Sequence, residues 1–311
     1  MKYYFAPMEG ITGYIYRNAH HRIFKEIDVY FTPFIVPTKN RIFSSREKND
    51  ILPEHNEGLR IVPQILTNKG DDFIWAAREL KNYGYKEVNL NLGCPSATVV
   101  SKGKGAGFLG EPYKLDEFLK EIFSESDVDI SIKTRIGKDD PEEFQELMEI
   151  YNRYPLKELI IHPRVQKDFY RNKPNLDVFE QAISIAEFPV CYNGDLFLKE
   201  DCITFGARFE QVERLMLGRG LITNPGLVTE LVSETKLSKE QLMSFHDEIV
   251  SGYEKVISGD RNVLFKMKEL WAYMIQMFAF EEKAAKKIRK SQNLMDYRKA
   301  VSELFTNLEL K

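Results

Sequence analysis

Asn89-Leu90-Asn91-Leu92-Gly93-Cys94-Pro95-Ser96 is the stretch on which both fold and chemistry turn. Polar and apolar residues alternate through Leu92, the period of a strand. Pro95 has no N–H to give to a sheet, so the strand must end before it. Cys94 therefore stands in a turn at the rim of whatever sheet holds the strand, and a glycine-rich loop from Lys102 to Gly107 follows. A thiol on a rim can meet a substrate, whereas a thiol in a core cannot. With Gly and Pro beside it, and Asn89 and Asn91 on the strand leading to it, Cys94 reads as a chemical group and not as a small buried filler.

The same strand signal recurs along the first two thirds of the chain. Short β-rich runs begin near Tyr3, Val29, Ile61, Val88, Ile130, Leu159, Val190 and Leu215. Their spacing is roughly thirty residues, the length of one strand-helix unit. Amphipathic helical patterns lie between them at Asp72–Tyr83, Lys114–Phe123, Glu142–Tyr154 and Leu176–Ala186, and Gly84 stands where a helix C-cap favours a left-handed residue. Eight such units predict an α/β fold of the (β/α)8 TIM-barrel type, for which about 230 residues suffice. The alternative, a doubly wound open sheet, lacks its G-x-G-x-x-G signature after the first strand.

Barrels of this kind carry their active sites at the C-terminal ends of the strands. The residues at those ends are Pro7-Met8-Glu9, Gln64, Asn91 with Cys94, Lys133 with Arg135, His162 with Arg164, Asn193-Gly194-Asp195 and Gly218-Arg219. Singly, each has an ordinary explanation: Lys133 as a snorkelling rim lysine, His162 as a hydrogen-bonded core histidine. Converging on one rim, they point to a site. The last two strands end in glycine turns, the second followed by Asn224-Pro225-Gly226, a short-helix start. Loops after strands seven and eight form the usual phosphate site of this fold, and Arg219 would add a positive fork.

The 311 residues are 43% hydrophobic and 29% charged, enough for one large domain and a small one. Cys94, Cys191 and Cys202 suggest neither a metal cluster nor a disulfide framework, so no metal is expected and a reducing compartment is. Without a signal-like or membrane-spanning apolar run, the chain reads as soluble and cytoplasmic, with no membrane partner. Net charge is −3, unevenly spread: from Lys236 onward fourteen Lys/Arg face eleven Asp/Glu. That tail has helical signals, including the Ser238/Gln241 capping-box pattern and an apolar Leu264–Phe278, with turns at Gly259-Asp260 and Ser291-Gln292-Asn293. It predicts a small C-terminal helical bundle from about Leu237, with Trp271 and Tyr273 in its core. Lys283, Lys286, Lys287, Arg289 and Lys290 form either a solvated helix face or a phosphate-binding one. Pro37–Pro53, with Lys39, Arg41, Arg46 and Lys48, reads as a polar, loop-rich excursion.

Together these motifs resemble the dihydrouridine synthases, flavin enzymes that reduce uridine in transfer RNA. The resemblance rests on Ala6-Pro7-Met8-Glu9-Gly10 with Thr12, Asn89 to Ser96, Gly105-Ala106-Gly107, Ile132 to Gly137, His162-Pro163-Arg164, Asn193-Gly194-Asp195 and Gly218-Arg219-Gly220, in order over roughly residues 1–230. One position departs: Pro163 stands where the family usually has glycine. The resemblance implies a flavin mononucleotide (FMN) barrel over residues 1–235, a helical RNA-binding domain over 236–311, and NADPH (or NADH) as reductant. It implies that Pro7, Met8 and Glu9 lie at the flavin ring, with Gln64 on its polar edge and Lys133 and His162 beside it. Asn193, Gly194, Asp195, Gly218 and Arg219 would hold the ribityl chain and phosphate. Hydride would pass from flavin N5 to uracil C6, and Cys94, carried to the base by the loop at Lys102–Phe108, would protonate C5. Asn91 and Arg135 would orient the uracil edge, and Lys283, Lys286, Lys287, Arg289 and Lys290 would meet tRNA. A monomer is expected. The rivals are a flavin barrel acting on a free small molecule, such as a dihydroorotate dehydrogenase, and an inert RNA-binding barrel.

Overall fold

A computed structural model describes residues 1–311. Its strands are β1 (Lys2–Phe5), β2 (Val29–Phe31), β3 (Ile61–Val62), β4 (Gln64–Ile65), β5 (Glu87–Leu92), β6 (Asp129–Arg135), β7 (Glu158–His162), β8 (Val190–Tyr192) and β9 (Arg214–Leu217). They form one sheet in the order β3-β2-β1-β9-β8-β7-β6-β5-β4, with parallel pairing. The two ends of that order, β3 and β4, are consecutive in the chain and separated only by Pro63. Proline interrupts a ladder because it cannot donate, but the Pro63 carbonyl still accepts the Asn89 N–H at 2.8 Å. The nine strands are thus eight staves, one of them split, in a nearly closed TIM-type barrel. Each stave starts within a residue of its sequence-predicted beginning.

The register sorts the side chains. Neighbours across a parallel ladder share a face, and alternate residues along a strand do too. Asn91 pairs with Lys133, Asn89 with Ser131, Ser131 with Glu158, Arg135 with His162, and Ile160 with Cys191. One face of β5–β8 therefore carries mostly polar groups. The apolar wall of the interior is the cluster of Tyr4, Ala6, Val29, Phe31, Val62, Ile160, Cys191 and Met216. Residues of the opposite parity, such as Leu90, Leu92 and Ile132, are fully buried and face outward from the barrel.

The helices are α1 (Tyr14–Ile23), α2 (Ser45–Ile51), α3 (Gly70–Asn82), α4 (Ala97–Val100), α5 (Pro112–Glu125), α6 (Glu143–Tyr151), α7 (Leu176–Ile185), α8 (Lys199–Arg208), α9 (Arg219–Thr223), α10 (Leu227–Ser233), α11 (Lys239–Val256), α12 (Asp260–Met274), α13 (Glu282–Lys290) and α14 (Leu294–Asn307). α3 ends as its sequence predicts. Gly84 takes φ +92°, and the Tyr85 N–H closes back onto the Leu80 carbonyl. The Pro37–Pro53 excursion is not all loop: α2 lies within it, opened by a capping box between Ser44 and Glu47.

Two compact units divide the chain. One comprises Met1–Pro7, Asp28–Asp195 and Gly206–Met216; the other gathers Met8–Ile27, Leu196–Phe205 and Leu217–Lys311. In the second, α1 packs on α11 through Tyr16, His20, Phe24 and Phe245, and Gly252 lets Ile15 approach where a Cβ would lie 2.6 Å from its methyl. His20 is buried and held neutral, its pKa pushed down to about 3. Trp271 is core and donates to the Tyr297 hydroxyl at 2.7 Å, whereas Tyr273 is only half-buried. No helix is long and apolar enough to cross a membrane.

Candidate active site

In the barrel unit the polar face of β4–β6 is a connected amide ladder. Gln64 Nε2 donates to Asn89 Oδ1 at 2.8 Å, Asn91 Nδ2 donates to Gln64 Oε1 at 2.6 Å, and Asn89 Nδ2 donates to Ser131 Oγ at 3.0 Å. All four residues are buried, where an unmet amide would cost about 1–3 kcal/mol. Asn91 Oδ1 also accepts the N–H groups of Gly93 and Cys94, at 3.0 and 2.9 Å. Asn91 thus sets the turn that presents the thiol.

Cys94 is half-buried. Burial pushes its thiol pKa up, against the pull of the Ser96 backbone, Arg135 and Lys133. The segment expected to carry the thiol, Lys102–Phe108, is packed against it. Gly105–Leu109 is buried, and the Ala106 N–H donates to the Cys94 carbonyl at 3.1 Å. Gly105 has φ +55°, and a Cβ there would stand 2.8 Å from the Cys94 carbonyl oxygen. Glycine provides close approach here, and the segment holds Cys94 in place.

Lys133 points from the same face of β6 as Ser131 and Arg135. Burial and repulsion from Arg135 push its pKa down to about 8. It forms no hydrogen bond or ion pair within the protein. Arg135 differs: Nε donates to Gly93 O at 3.0 Å, Nη1 to Val165 O at 2.9 Å and Nη2 to Phe169 O at 2.7 Å. It fastens three segments together, and its guanidinium lies 5.4 Å from the Tyr170 ring centre.

The departure at Pro163 has a local explanation. The Arg164 N–H donates to the His162 carbonyl at 2.7 Å, a three-residue turn centred on proline, and the Pro163 carbonyl accepts from Asn175. No backbone donor is needed at that position. Arg164, 1% exposed, forks onto both Asp195 oxygens, and its Nη1 lies 3.0 Å from His162 Nε2. Guanidinium can only donate, so Nε2 accepts and the imidazole proton sits on Nδ1. Asp195 thereby anchors a buried arginine. Asn193 Nδ2 donates to Met216 O at 2.7 Å, and a Cβ on Gly194 would meet the Tyr192 hydroxyl at 2.5 Å. The sequence reading missed Tyr170, half exposed with its ring centre 6.0 Å from that of His162, and Phe169 before it, at φ +51°. Neither residue type carries a site signal.

The remaining candidates belong to the helical unit, apart from Pro7 at the end of β1. The Met8 N–H donates to Thr12 Oγ1 at 2.7 Å, and Glu9 is exposed. Gly218 is the N-cap of α9, and the Arg219 guanidinium lies 5.1 Å from the Phe197 ring centre. Lys283, Lys286, Lys287 and Lys290 recur at helical spacing on α13 and line a groove of about 660 Å³ with Asp296, Lys299 and Glu303 of α14. Arg289 does not line it, and Lys287 is paired with Glu303 at 2.6 Å. Lys299 was not anticipated because it arrives from a different helix.

A sequence model of the family described as Dihydrouridine synthase (Dus) matches residues 4–309. Among curated proteins, the chain is 27% identical over 253 residues to the tRNA-dihydrouridine(16) synthase of Pseudomonas putida, covering 78% of this chain and 76% of that one. It is 25% identical over 261 residues to a probable tRNA-dihydrouridine synthase of Staphylococcus aureus, covering 80% and 77%. Among solved structures, morphinone reductase superposes with a TM-score of 0.55 at 12% identity, covering 78% of this chain and 88% of that one. A 2-naphthoyl-CoA reductase superposes with a TM-score of 0.58 at 10% identity, covering 75% and 50%. At such identities the likeness is one of fold.

Proposed function

The chain belongs to the dihydrouridine synthase family, and on that premise we propose that it reduces the C5–C6 bond of uridine in transfer RNA. It is an oxidoreductase acting on a CH–CH group. The observation that carries the reading is Cys94, held by Asn91 and Gly105 beside the strand that bears an unpartnered Lys133.

The residues suit a flavin. A half-buried ammonium without a protein partner is disfavoured, as its lowered pKa reflects, and the polar edge of a flavin ring is a group that can meet it. Gln64 uses one N–H on Asn89 and keeps its second for the same edge. In this reading Pro7, Met8, Gln64, Lys133 and His162 would hold the ring of FMN. Asn193, Gly194, Gly218 and Arg219 hold its ribityl chain and phosphate, and Asp195 acts by fixing Arg164. Bound there, a flavin would supply the hydride taken up at C6, with NADPH as its reductant. Cys94 holds the proton that C5 receives. Because burial raises its pKa, the thiol stays protonated near neutrality and serves as an acid and not as a nucleophile. Asn91 and Arg135 act on the substrate through the turn and loops they fasten. The lysine groove of α13 and α14 takes RNA phosphates.

Replacing Cys94 tests the assignment. Cys94→Ala should retain flavin and its reduction by NADPH, while dihydrouridine formation falls by roughly 10²–10⁴. Near-normal dihydrouridine formation would remove Cys94 from the chemistry.

A further inference from the structure

Next to Cys94, two loops of the barrel unit bring three lysines together, none with its ammonium in a hydrogen bond or ion pair. We infer that Lys69, Lys102 and Lys104 form a phosphate-binding rim that grips the RNA backbone beside the uridine being reduced. The inference rests on the function proposed above and adds an RNA-facing surface to it.

The geometry begins with Asn68, in the loop after β4. Its Nδ2 donates to the carbonyls of Lys102 and Gly103, both at 3.1 Å. One side-chain amide therefore ties the loop that starts α3 to the loop that follows Cys94. Gly103 and Gly105 have φ +63° and +55°, which lets the second loop curl back. A Cβ on Gly103 would lie 3.3 Å from that same amide nitrogen. The far end of the loop is fastened by the bond from Ala106 N–H to the Cys94 carbonyl. Lys69 and Lys102 are exposed and Lys104 is half-buried.

Charge supports the same reading. Lys102 and Lys69 repel Lys104, which burial also disfavours as a cation, and Asp72 is the one acid acting on it in compensation. Three like charges offset by a single acid on a fixed mount are unfavourable until an anion bridges them. Ammonium groups are point charges with several donors, suited to phosphate oxygens and indifferent to base identity. A strand is the matching anion. A nucleotide extruded toward Cys94 brings its own flanking phosphates with it, so cations on a loop bonded to Cys94 meet backbone. Extrusion costs a few kcal/mol, and binding of the backbone at that point offsets it.

The test uses the flavin-loaded protein and an unmodified tRNA transcript. Lys69, Lys102 and Lys104 are changed to Gln together. As a control, Lys2, Lys86 and Lys157, at or just before the N-terminal ends of β1, β5 and β7 and thus at the opposite pole of the barrel, are changed to Gln. Each phosphate that loses its lysine should lower the log–log salt slope of binding by about 0.7, or roughly a fourfold drop in affinity at about 0.15 M salt. The rim variant should therefore bind roughly 50-fold more weakly with a slope reduced by about two, whereas the control, with the same change in net charge, keeps its slope. Lys→Arg at all three positions should restore binding, and flavin content should match the parent, which separates removal of the charges from misfolding. Equal slopes for rim variant and parent, with the parent still forming dihydrouridine, would overturn the rim and leave the enzyme reading intact. A parent that neither binds nor reduces the transcript would overturn both.

Discussion

Glu158→Gln should make the protein more stable at alkaline pH and change little at acid pH. Glu158 opens β7 and is 7% exposed. Its Oε2 accepts from the Tyr4 hydroxyl at 3.1 Å, Arg214 Nε lies 3.7 Å away, and Oε1 is buried without a partner. The groups facing it are Tyr4, Arg214, Cys191, Glu87 and Lys2. Burial outweighs the attraction of Arg214 and raises the carboxyl pKa from 4.5 to about 7. The folded state therefore binds this proton more tightly than the unfolded chain. Its contribution is complete below about pH 4.5 and is lost as pH rises to about 7. That difference in pKa corresponds to about 3 kcal/mol. Glutamine keeps the shape and the acceptor for Tyr4 but does not titrate. The variant's melting temperature relative to the parent should rise with pH and level off above pH 7, by roughly 6 °C in all, taking about 2 °C per kcal/mol for a chain of this size. The assay is thermal unfolding of both proteins from pH 4.5 to 8.5. A difference that stays flat across that range would refute the argument.

Gly105→Ala should lower uridine reduction while leaving flavin content near normal. The left-handed backbone costs about 1–2 kcal/mol for alanine, and its Cβ would press on the Cys94 carbonyl 2.8 Å away; unchanged turnover on a transcript would contradict the role given to this glycine. Arg219→Ala should weaken flavin retention on dilution by roughly 1.5–3 kcal/mol, the scale of a charge-assisted hydrogen bond to phosphate, and equal retention would reject the phosphate assignment. Changing Lys286, Lys290 and Lys299 to Gln should reduce the salt slope of tRNA binding by about 0.7 for each phosphate no longer neutralised. Lys287→Gln alone should do less, because its charge is already met by Glu303.

The staves were legible because a period of two, punctuated by Gly and Pro, survives without knowledge of partners. Asn89–Pro95 shows this best: the alternation predicted the strand, and Pro95 its end. Pro63 could be read as a breaker, but not as a gap within a stave whose two halves pair with different neighbours. Gly84 was readable because a left-handed cap has one physical cause. The rest depended on contacts distant in sequence. Asn91 looked like a substrate ligand because nothing local shows that Gln64 and the Cys94 N–H group occupy its amide. Arg135 and Arg164 drew attention as charges, yet their partners are carbonyls and an aspartate up to 42 residues away. The glycines of the Lys102–Gly107 loop permit both freedom and close packing, and the contact of Gly105 with the Cys94 carbonyl is not legible in the sequence. The Ser44/Glu47 capping box was present in the sequence and could have revealed α2. The inclusion of Met8–Ile27 in the helical unit had no sequence signal.

The most direct measurement of the central claim is incubation of the purified, flavin-loaded protein with NADPH and an unmodified tRNA transcript under anaerobic conditions, followed by nucleoside mass analysis. The account predicts that defined uridines gain the mass of two hydrogens while NADPH is consumed in equal amount, and that Cys94→Ala stops after the single NADPH that reduces its flavin, without that gain. Transcript uridines left unreduced by the parent, with flavin bound and NADPH present, would contradict it.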